Sequence, residues 1–166
     1  MKKMLPCLVF CTCLCSLPLL AQVRVLVVYH SQQGHTRQMA EAVAKGAETV
    51  EGTKVELLTV QEATPEAALG ANAIVIGSPV YNANVAPEVQ QFINNLPFEG
   101  TPLRDKVGAA FVSAGGAGAG EELVQLNILH SLLVFGMVVV GGPAWQQPFG
   151  ASATVAEAPW NEQKGV

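Results

Sequence analysis

A strand-forming run that ends in a short polar loop constrains the fold of this chain more than any other feature. Residues 23–36 read V-R-V-L-V-V-Y-H-S-Q-Q-G-H-T, so aliphatic and β-branched residues give way to hydroxyls, amides and one glycine. The following M-A-E-A-V-A-K-G-A has apolar residues at helical spacing. A strand, a polar loop and a helix N-terminus in this order favour phosphate binding. An ordinary turn in which Ser31 or Thr36 caps the helix explains the same residues equally well.

Strand and helix patterns alternate along the rest of the chain. Further strands are predicted at 53–60, 71–77, 106–113 and 137–141, with helices beginning at Pro87 and Glu121. Residues 62–69 indicate a short helix or loop, and residues 145–155 have loop character. Crossovers of this length favour right-handed parallel connections. The pattern therefore predicts an α/β fold with a flavodoxin-like, doubly wound, five-stranded parallel sheet in the order 2-1-3-4-5.

Three polar or glycine-rich loops follow the first, third and fourth predicted strands. They read S-Q-Q-G-H-T, S-P-V-Y-N-A-N and A-G-G-A-G-A-G. Parallel strands end at the same edge of a sheet, and ligands of doubly wound sheets bind beyond that edge. We therefore expect one ligand site built from all three loops. Within the second loop, Tyr81 is either a lid stacked on a flat ligand or an exposed turn residue, and the sequence does not separate the two.

Several other kinds of site are disfavoured. No G-x-x-x-x-G-K-[ST] motif is present, and the first loop has only Gly34, so neither a triphosphate loop nor a dinucleotide fingerprint is indicated. His30, His35 and His130 are not at metal-ligand spacing, and no metal site is predicted. Ser113 lacks a G-x-S-x-G context, so hydrolysis is not supported.

The N-terminus has the pattern of a secretory signal peptide. Lys2 and Lys3 precede an apolar run over residues 4–20, and Ala21 is a small residue at the expected cleavage point. We predict a signal peptide at 1–21, a flavodoxin-like domain at 22–166, and an exported, periplasmic or extracytoplasmic protein. A retained membrane anchor is the weaker interpretation, and a lipid tether is not favoured. All four cysteines lie in the predicted signal, so the mature protein would have no thiol.

The charge excludes another class of partner. The chain has a formal net charge of −4 and no basic stripe, so nucleic acid is not an expected partner.

Four segments together resemble the flavodoxin-like FMN reductases, most closely the WrbA-type NAD(P)H:quinone oxidoreductases. They are L-V-V-Y-H-S-Q-Q-G-H-T, I-V-I-G-S-P-V-Y-N-A-N, F-V-S-A-G-G-A-G-A-G-E-E, and F-G-M-V-V-V followed by P-F-G-A-S. The resemblance implies an oxidoreductase that binds FMN, takes electrons from NAD(P)H and passes them to a quinone or similar acceptor, with no catalytic side chain. It also implies a homo-oligomer.

The same resemblance implies which residues bind FMN. The first loop would hold the phosphate, and the second and third loops would border the isoalloxazine ring and the ribityl chain. The implied cofactor-binding residues are Ser31, Gln32, Gln33, Gly34, His35, Thr36, Pro79, Val80, Tyr81, Asn82, Ser113, Ala114, Gly115, Gly116, Ala117 and Gly118.

Three features of the chain, two single positions and its C-terminal segment, depart from the family pattern. Phe135 stands where the family has a histidine near the flavin, and Gln33 stands where its first loop has an aromatic residue. After P-F-G-A-S-A-T-V the family continues into a closing helix, which we expect to be missing here, so one sheet face would lose a cover. Two other accounts remain open: an electron-carrier flavodoxin without small-molecule turnover, and a degenerate scaffold without cofactor.

Overall fold

The computed structural model describes residues 22–155, which form a parallel β-sheet with helices packed on both faces. The sheet runs in the order β2-β1-β3-β5-β6. The strands are Val23–Tyr29 (β1), Thr53–Thr59 (β2), Ala73–Tyr81 (β3), Asn84–Val85 (β4), Val107–Ala114 (β5), Val138–Val139 (β6) and Ala151–Thr154 (β7). The helices are His35–Glu48 (α1), Pro65–Gly70 (α2), Pro87–Asn94 (α3) and Glu121–Val134 (α4). The predicted flavodoxin-like order 2-1-3-4-5 is confirmed, with β5 and β6 as its fourth and fifth strands.

Alternate residues of the central strands enter two separate cores. Leu26 and Val28 of β1 face a large core that also contains Ile74 and Ile76 of β3 and residues of α2, α3 and α4. Their neighbours in the chain face the other side, where the core is smaller and α1 is the helix that covers it within residues 22–155. Strands buried on both faces require apolar residues at successive positions, which explains the continuous apolar runs.

The fifth strand of the sheet is divided into two short pieces. β6 pairs with Val107 and Gly108 at the start of β5, whereas β7 pairs with the second half of β5, from Phe111 to Ala114. The loop prediction for residues 145–155 is therefore wrong for Ala151–Thr154. The buried side chain of Gln125 on α4 holds this segment in place, because its Nε2 donates to Ala151 O at 3.0 Å.

The third strand is longer than predicted. Residues 78–81 were expected in a turn, but β3 continues to Tyr81 and pairs with β4 in a tight hairpin. Asn82 and Ala83 form the hairpin turn with φ values of 52° and 60°. Two successive residues in the left-handed region match the twist that two-residue hairpins need.

Two of the sequence predictions fall outside the described residues. The predicted signal peptide occupies 1–21, and the predicted loss of a closing helix concerns the chain after Val155; both lie outside residues 22–155. Among the helices of the described range, none combines the length and apolar character needed to cross a membrane.

Candidate functional site

The first loop places helix amides and hydroxyls at the end of β1. Gly34 is the N-cap residue of α1 with φ 90°, and its own N–H donates to Ser31 Oγ at 3.1 Å. The first hydrogen bond of the helix runs from Gln38 N to Gly34 O. The amides of residues 35–37 precede that bond, and amides in this position bind anions well. The turn therefore has the geometry of a phosphate site.

A buried hydrogen bond joins the first loop to the third. Thr36 Oγ1 and Ser113 Oγ share a hydrogen bond of 2.8 Å, and both residues are buried, at 1% and 6% exposure. Thr36 lies in the first turn of α1 and Ser113 near the carboxyl end of β5. Because either hydroxyl can donate, the pair leaves one hydroxyl proton and several lone pairs for a ligand beside it.

The second loop supplies an apolar wall that ends in Tyr81. Ser78 Oγ donates to Pro79 O at 2.8 Å and accepts from Ala86 N at 3.0 Å, which fixes the hairpin against the start of α3. Tyr81 is half-buried, and its hydroxyl donates to Gln32 Oε1 at 3.2 Å across the cavity mouth. Burial and, to a lesser extent, the charge of Glu88 raise the pKa of Tyr81 above its ordinary value, so this hydroxyl stays protonated at neutral pH.

The third loop is divided between the cavity and α4. The carboxylate of Glu121 accepts hydrogen bonds from Gly118 N at 3.2 Å and Gly120 N at 2.9 Å, so this part of the loop is tied to the helix start. Gly115 lies at the cavity instead. A Cβ added at Gly115 or Gly116 would meet no heavy atom of the described chain within 4 Å. Neighbouring protein atoms therefore do not require these glycines, whereas a ligand lying against the backbone would.

The three loops enclose a single cavity of about 350 Å³. This volume falls within the usual range of small-molecule sites, roughly 300–1,000 Å³. Eleven of the predicted site residues line the cavity: Ser31, Gln32, Gln33, His35, Thr36, Pro79, Val80, Tyr81, Ser113, Ala114 and Gly115. Five others are absent from its lining: Gly34, Asn82, Gly116, Ala117 and Gly118.

One lining residue was missed by sequence reasoning. Val155 follows β7 and lines the cavity. Val155 was missed because residues 145–155 were predicted to be a loop. Only the parallel pairing of β7 with β5 brings Val155 to the cavity. The signal that could have revealed it was the run A-S-A-T-V, which has strand-forming residues at its end.

Metal-binding side chains do not gather in the described part of the chain. Residues 22–155 contain no group of three or more His, Cys, Asp or Glu residues placed to hold a metal ion.

Comparison with known proteins identifies the family. The sequence model of NADPH-dependent FMN reductase matches residues 62–151. This chain belongs to that family. Among curated relatives, the NAD(P)H dehydrogenase (quinone) of Methanosarcina barkeri is 31% identical over 183 residues, covering 85% of this chain and 88% of the relative. A flavodoxin of Aquifex aeolicus is 39% identical over 119 residues, which cover 71% of this chain and 64% of that protein's length.

Solved structures support the flavodoxin-like fold. The WrbA-like flavodoxin protein from Agrobacterium tumefaciens superposes with a TM-score of 0.61 at 26% identity, covering 70% of this chain and 75% of that one. A flavodoxin from an archaeon gives a TM-score of 0.63 at 23% identity, covering 84% and 90% of the two chains.

Gln33 and Phe135, which depart from the expected family pattern, differ in their position relative to the cavity. Gln33 lines the cavity and is exposed, so its amide is available to a ligand. Phe135 is absent from the cavity lining and packs edge-on against Phe98, with ring centroids 5.7 Å apart. Of the two, Gln33 is the position that alters the site directly.

The residues present fit FMN. Helix amides and the Thr36 and Ser113 hydroxyls suit a phosphate, and Pro79, Val80 and Tyr81 form an apolar wall suited to a flat ring. The open space at Gly115 is what a ring or ribityl chain pressed against the backbone would fill.

Proposed function

We propose that this protein is an FMN-dependent NAD(P)H:quinone oxidoreductase. The observation that carries the proposal is the convergence of three loops, separated along the chain, on one cavity lined both by groups that can bind a phosphate and by an apolar wall. Membership of the FMN reductase family and the quinone dehydrogenase relatives support the same activity.

Each loop has a distinct task in this proposal. Ser31, Thr36 and the first amides of α1 hold the FMN phosphate. Pro79, Val80 and Tyr81 border the isoalloxazine ring, and the backbone around Gly115 allows close approach along its other edge.

Bound FMN would supply the redox chemistry, accepting a hydride from NAD(P)H and returning the electrons to a quinone. The protein's own residues bind and orient that group and exclude water from part of it. Tyr81 donates to Gln32 and has a pKa raised above its ordinary value, so it provides a neutral wall rather than a proton acceptor. We assign no acid–base catalyst among the cavity residues, because bound FMN would carry the hydride transfer.

The direct test is purification of the protein followed by a visible absorbance spectrum, an FMN titration and steady-state assays. We expect the flavin spectrum, saturable FMN binding and oxidation of NADH or NADPH that depends on an added benzoquinone. A protein that binds no FMN and oxidises neither nucleotide would contradict the proposal.

A second candidate function is that of an electron carrier, favoured by the 39% identity to the Aquifex flavodoxin. A carrier would bind FMN and be reduced by a partner protein, with no steady-state turnover of NAD(P)H and quinone. The same assays distinguish the oxidoreductase from the electron carrier. Both would bind FMN, but only the oxidoreductase would oxidise NAD(P)H in the steady state with a quinone.

The cellular location and assembly of the protein are further proposals. Export is supported by Lys2, Lys3 and the apolar run that follows them. Cell fractionation with an intact mass of the mature protein tests it: a mass that retains residues 1–21 in the cytoplasmic fraction would contradict export. Light scattering after size exclusion tests the homo-oligomer, which a monomeric mass would exclude.

A further inference from the structure

A histidine outside the cavity lining contacts Tyr81, which is part of that lining. His30 follows β1, and its side chain is 14% exposed. It is absent from the cavity lining, whereas Tyr81 is part of it. The two rings meet edge to face, with centroids 6.5 Å apart and planes at 79°. This is a favourable aromatic geometry, so the imidazole packs against the Tyr81 ring.

A carboxylate also faces this histidine. Glu88, the second residue of α3, places Oε2 3.6 Å from His30 Nε2. That oxygen is buried and accepts no hydrogen bond from residues 22–155, although the side chain as a whole is 44% exposed. A buried oxygen without a partner is costly, and the imidazole is the polar group that faces it. The charge of Glu88 also contributes to the raised pKa of Tyr81, after burial.

Tyr81 is held at its other end as well. Its hydroxyl donates to Gln32 Oε1 at 3.2 Å, so the tip is fixed by the first loop while the ring is supported by His30. A ring with contacts at its tip and edge has few orientations left, and both contacts come from the segment between β1 and α1, because His30 and Gln32 are two residues apart.

We propose that Glu88 and His30 form a positioning pair that fixes the orientation of the Tyr81 ring at the wall of the flavin cavity. The identity of the ligand in that cavity rests on the proposed function. Neither member of the pair lines the flavin cavity. Glu88 lines a second cavity of about 590 Å³ between α3 and the segment after β2, so it can be changed without touching the flavin site.

The chain offers a matched control for a test of Glu88. Glu66 also follows a proline in the first turn of a helix, at Pro65 of α2, as Glu88 follows Pro87 of α3. Glu88→Gln and Glu66→Gln therefore remove the same charge from equivalent helix positions. Only the first removes a carboxylate that faces His30.

The experiment measures both variants with and without FMN. In flavin-free protein, the Tyr81 ring resonances in NMR spectra should shift in Glu88→Gln and stay in place in Glu66→Gln. With FMN, Glu88→Gln should raise the Kd by about threefold and change the visible spectrum of the bound flavin, whereas Glu66→Gln should match the unaltered protein.

A double variant separates positioning from general destabilisation. His30→Phe keeps an aromatic ring against Tyr81 but removes the nitrogen that faces Glu88. Adding Glu88→Gln to His30→Phe should then change the Kd by less than Glu88→Gln alone changes it, because the partner is already absent. Equal effects of the two glutamate variants, or independent effects of His30→Phe and Glu88→Gln, would overturn the proposal. If the unaltered protein bound no FMN, the proposed function would fail, and the Tyr81 resonances would still decide the positioning role.

Discussion

At the scale of single residues, the Thr36 hydroxyl is the contact that closes the site. It joins the start of α1 to the end of β5 through its 2.8 Å hydrogen bond with Ser113, and it is almost fully buried. A valine of similar shape at this position would leave the Ser113 hydroxyl without its partner and would remove a donor beside the phosphate position.

We predict that Thr36→Val raises the Kd for FMN about tenfold and lowers the free energy of unfolding by about 1–2 kcal/mol. Thr36→Ser keeps the hydroxyl, so its Kd for FMN and its free energy of unfolding should both lie close to those of the unaltered protein. Thr49→Val removes a hydroxyl from the opposite end of α1, where it donates to Gly46 O, and should leave the Kd unchanged. FMN fluorescence quenching and urea titration measure the two quantities. Equal Kd values for the two valine variants would contradict the role of Thr36.

The sequence predicted most of the lining residues because strand ends determine their position. Ser31, Tyr81 and Ser113 each lie at the carboxyl end of a parallel strand, and topology alone brings such residues together. The later glycines of the third loop were predicted with them but do not line the cavity. For Gly118, the hydrogen bond from its N–H to the Glu121 carboxylate explains the difference, since side-chain contacts of that kind have no sequence pattern.

At the scale of elements, one glycine in β3 makes room for an aromatic ring of β5. Gly77 pairs with Phe111 in the parallel register, and a Cβ at Gly77 would overlap the Phe111 ring. The Phe111 ring therefore occupies the space that a side chain at position 77 would need. The packing of the smaller core, to which Phe111 belongs, depends on the absence of that side chain.

Gly77→Ala should lower the free energy of unfolding by roughly 1–3 kcal/mol, because the ring must move into an already packed core. Gly46→Ala provides the contrast. Gly46 lies within α1, and a Cβ there meets no atom of the described residues within 4 Å. That variant should raise stability by about 0.5–1 kcal/mol. Urea denaturation midpoints compare the two, and a Gly77→Ala protein as stable as Gly46→Ala would refute the packing argument.

The attachment of β7 gives a second prediction for an element. Gln125→Ala removes the amide that donates to Ala151 O and should cost about 1–2 kcal/mol of stability. Amide hydrogen exchange should accelerate in β7 before it does in β1. Gln90→Ala is the matched control, because it removes an exposed amide that donates a hydrogen bond to Asn94 on α3. This variant should change neither the stability nor the amide exchange of β7. Unchanged exchange in β7 would show that Gln125 does not hold it.

The sequence predicted the four longer parallel strands and their order but not the divided fifth strand. Apolar runs such as those of β1 and β3 are visible because both faces are buried. β7 has only small and hydroxyl residues, and its strand geometry depends on pairing with Phe111–Ala114 and on Gln125. A four-residue segment stabilised by its neighbours has no periodicity of its own to detect.

At the scale of the whole molecule, the site joins parts of the chain that are far apart, so a bound ligand should stabilise the entire fold. FMN at about one hundred times its Kd should raise the free energy of unfolding by roughly 2.7 kcal/mol. Thermal unfolding measured with and without FMN tests this, and riboflavin, which lacks the phosphate, is the control that should stabilise less. The absence of any thermal shift with FMN would favour the scaffold without cofactor.

The hydrogen bond between Thr36 and Ser113 has a consequence for the timing of folding. Its two residues are 77 positions apart in the sequence. Contacts of such separation form late, after the loop between them has closed and β3 and β5 have paired. A chain that has only begun to fold therefore has no complete phosphate site, and FMN has nothing to bind until the sheet is nearly assembled. The cofactor should accordingly slow unfolding while leaving the refolding rate almost unchanged.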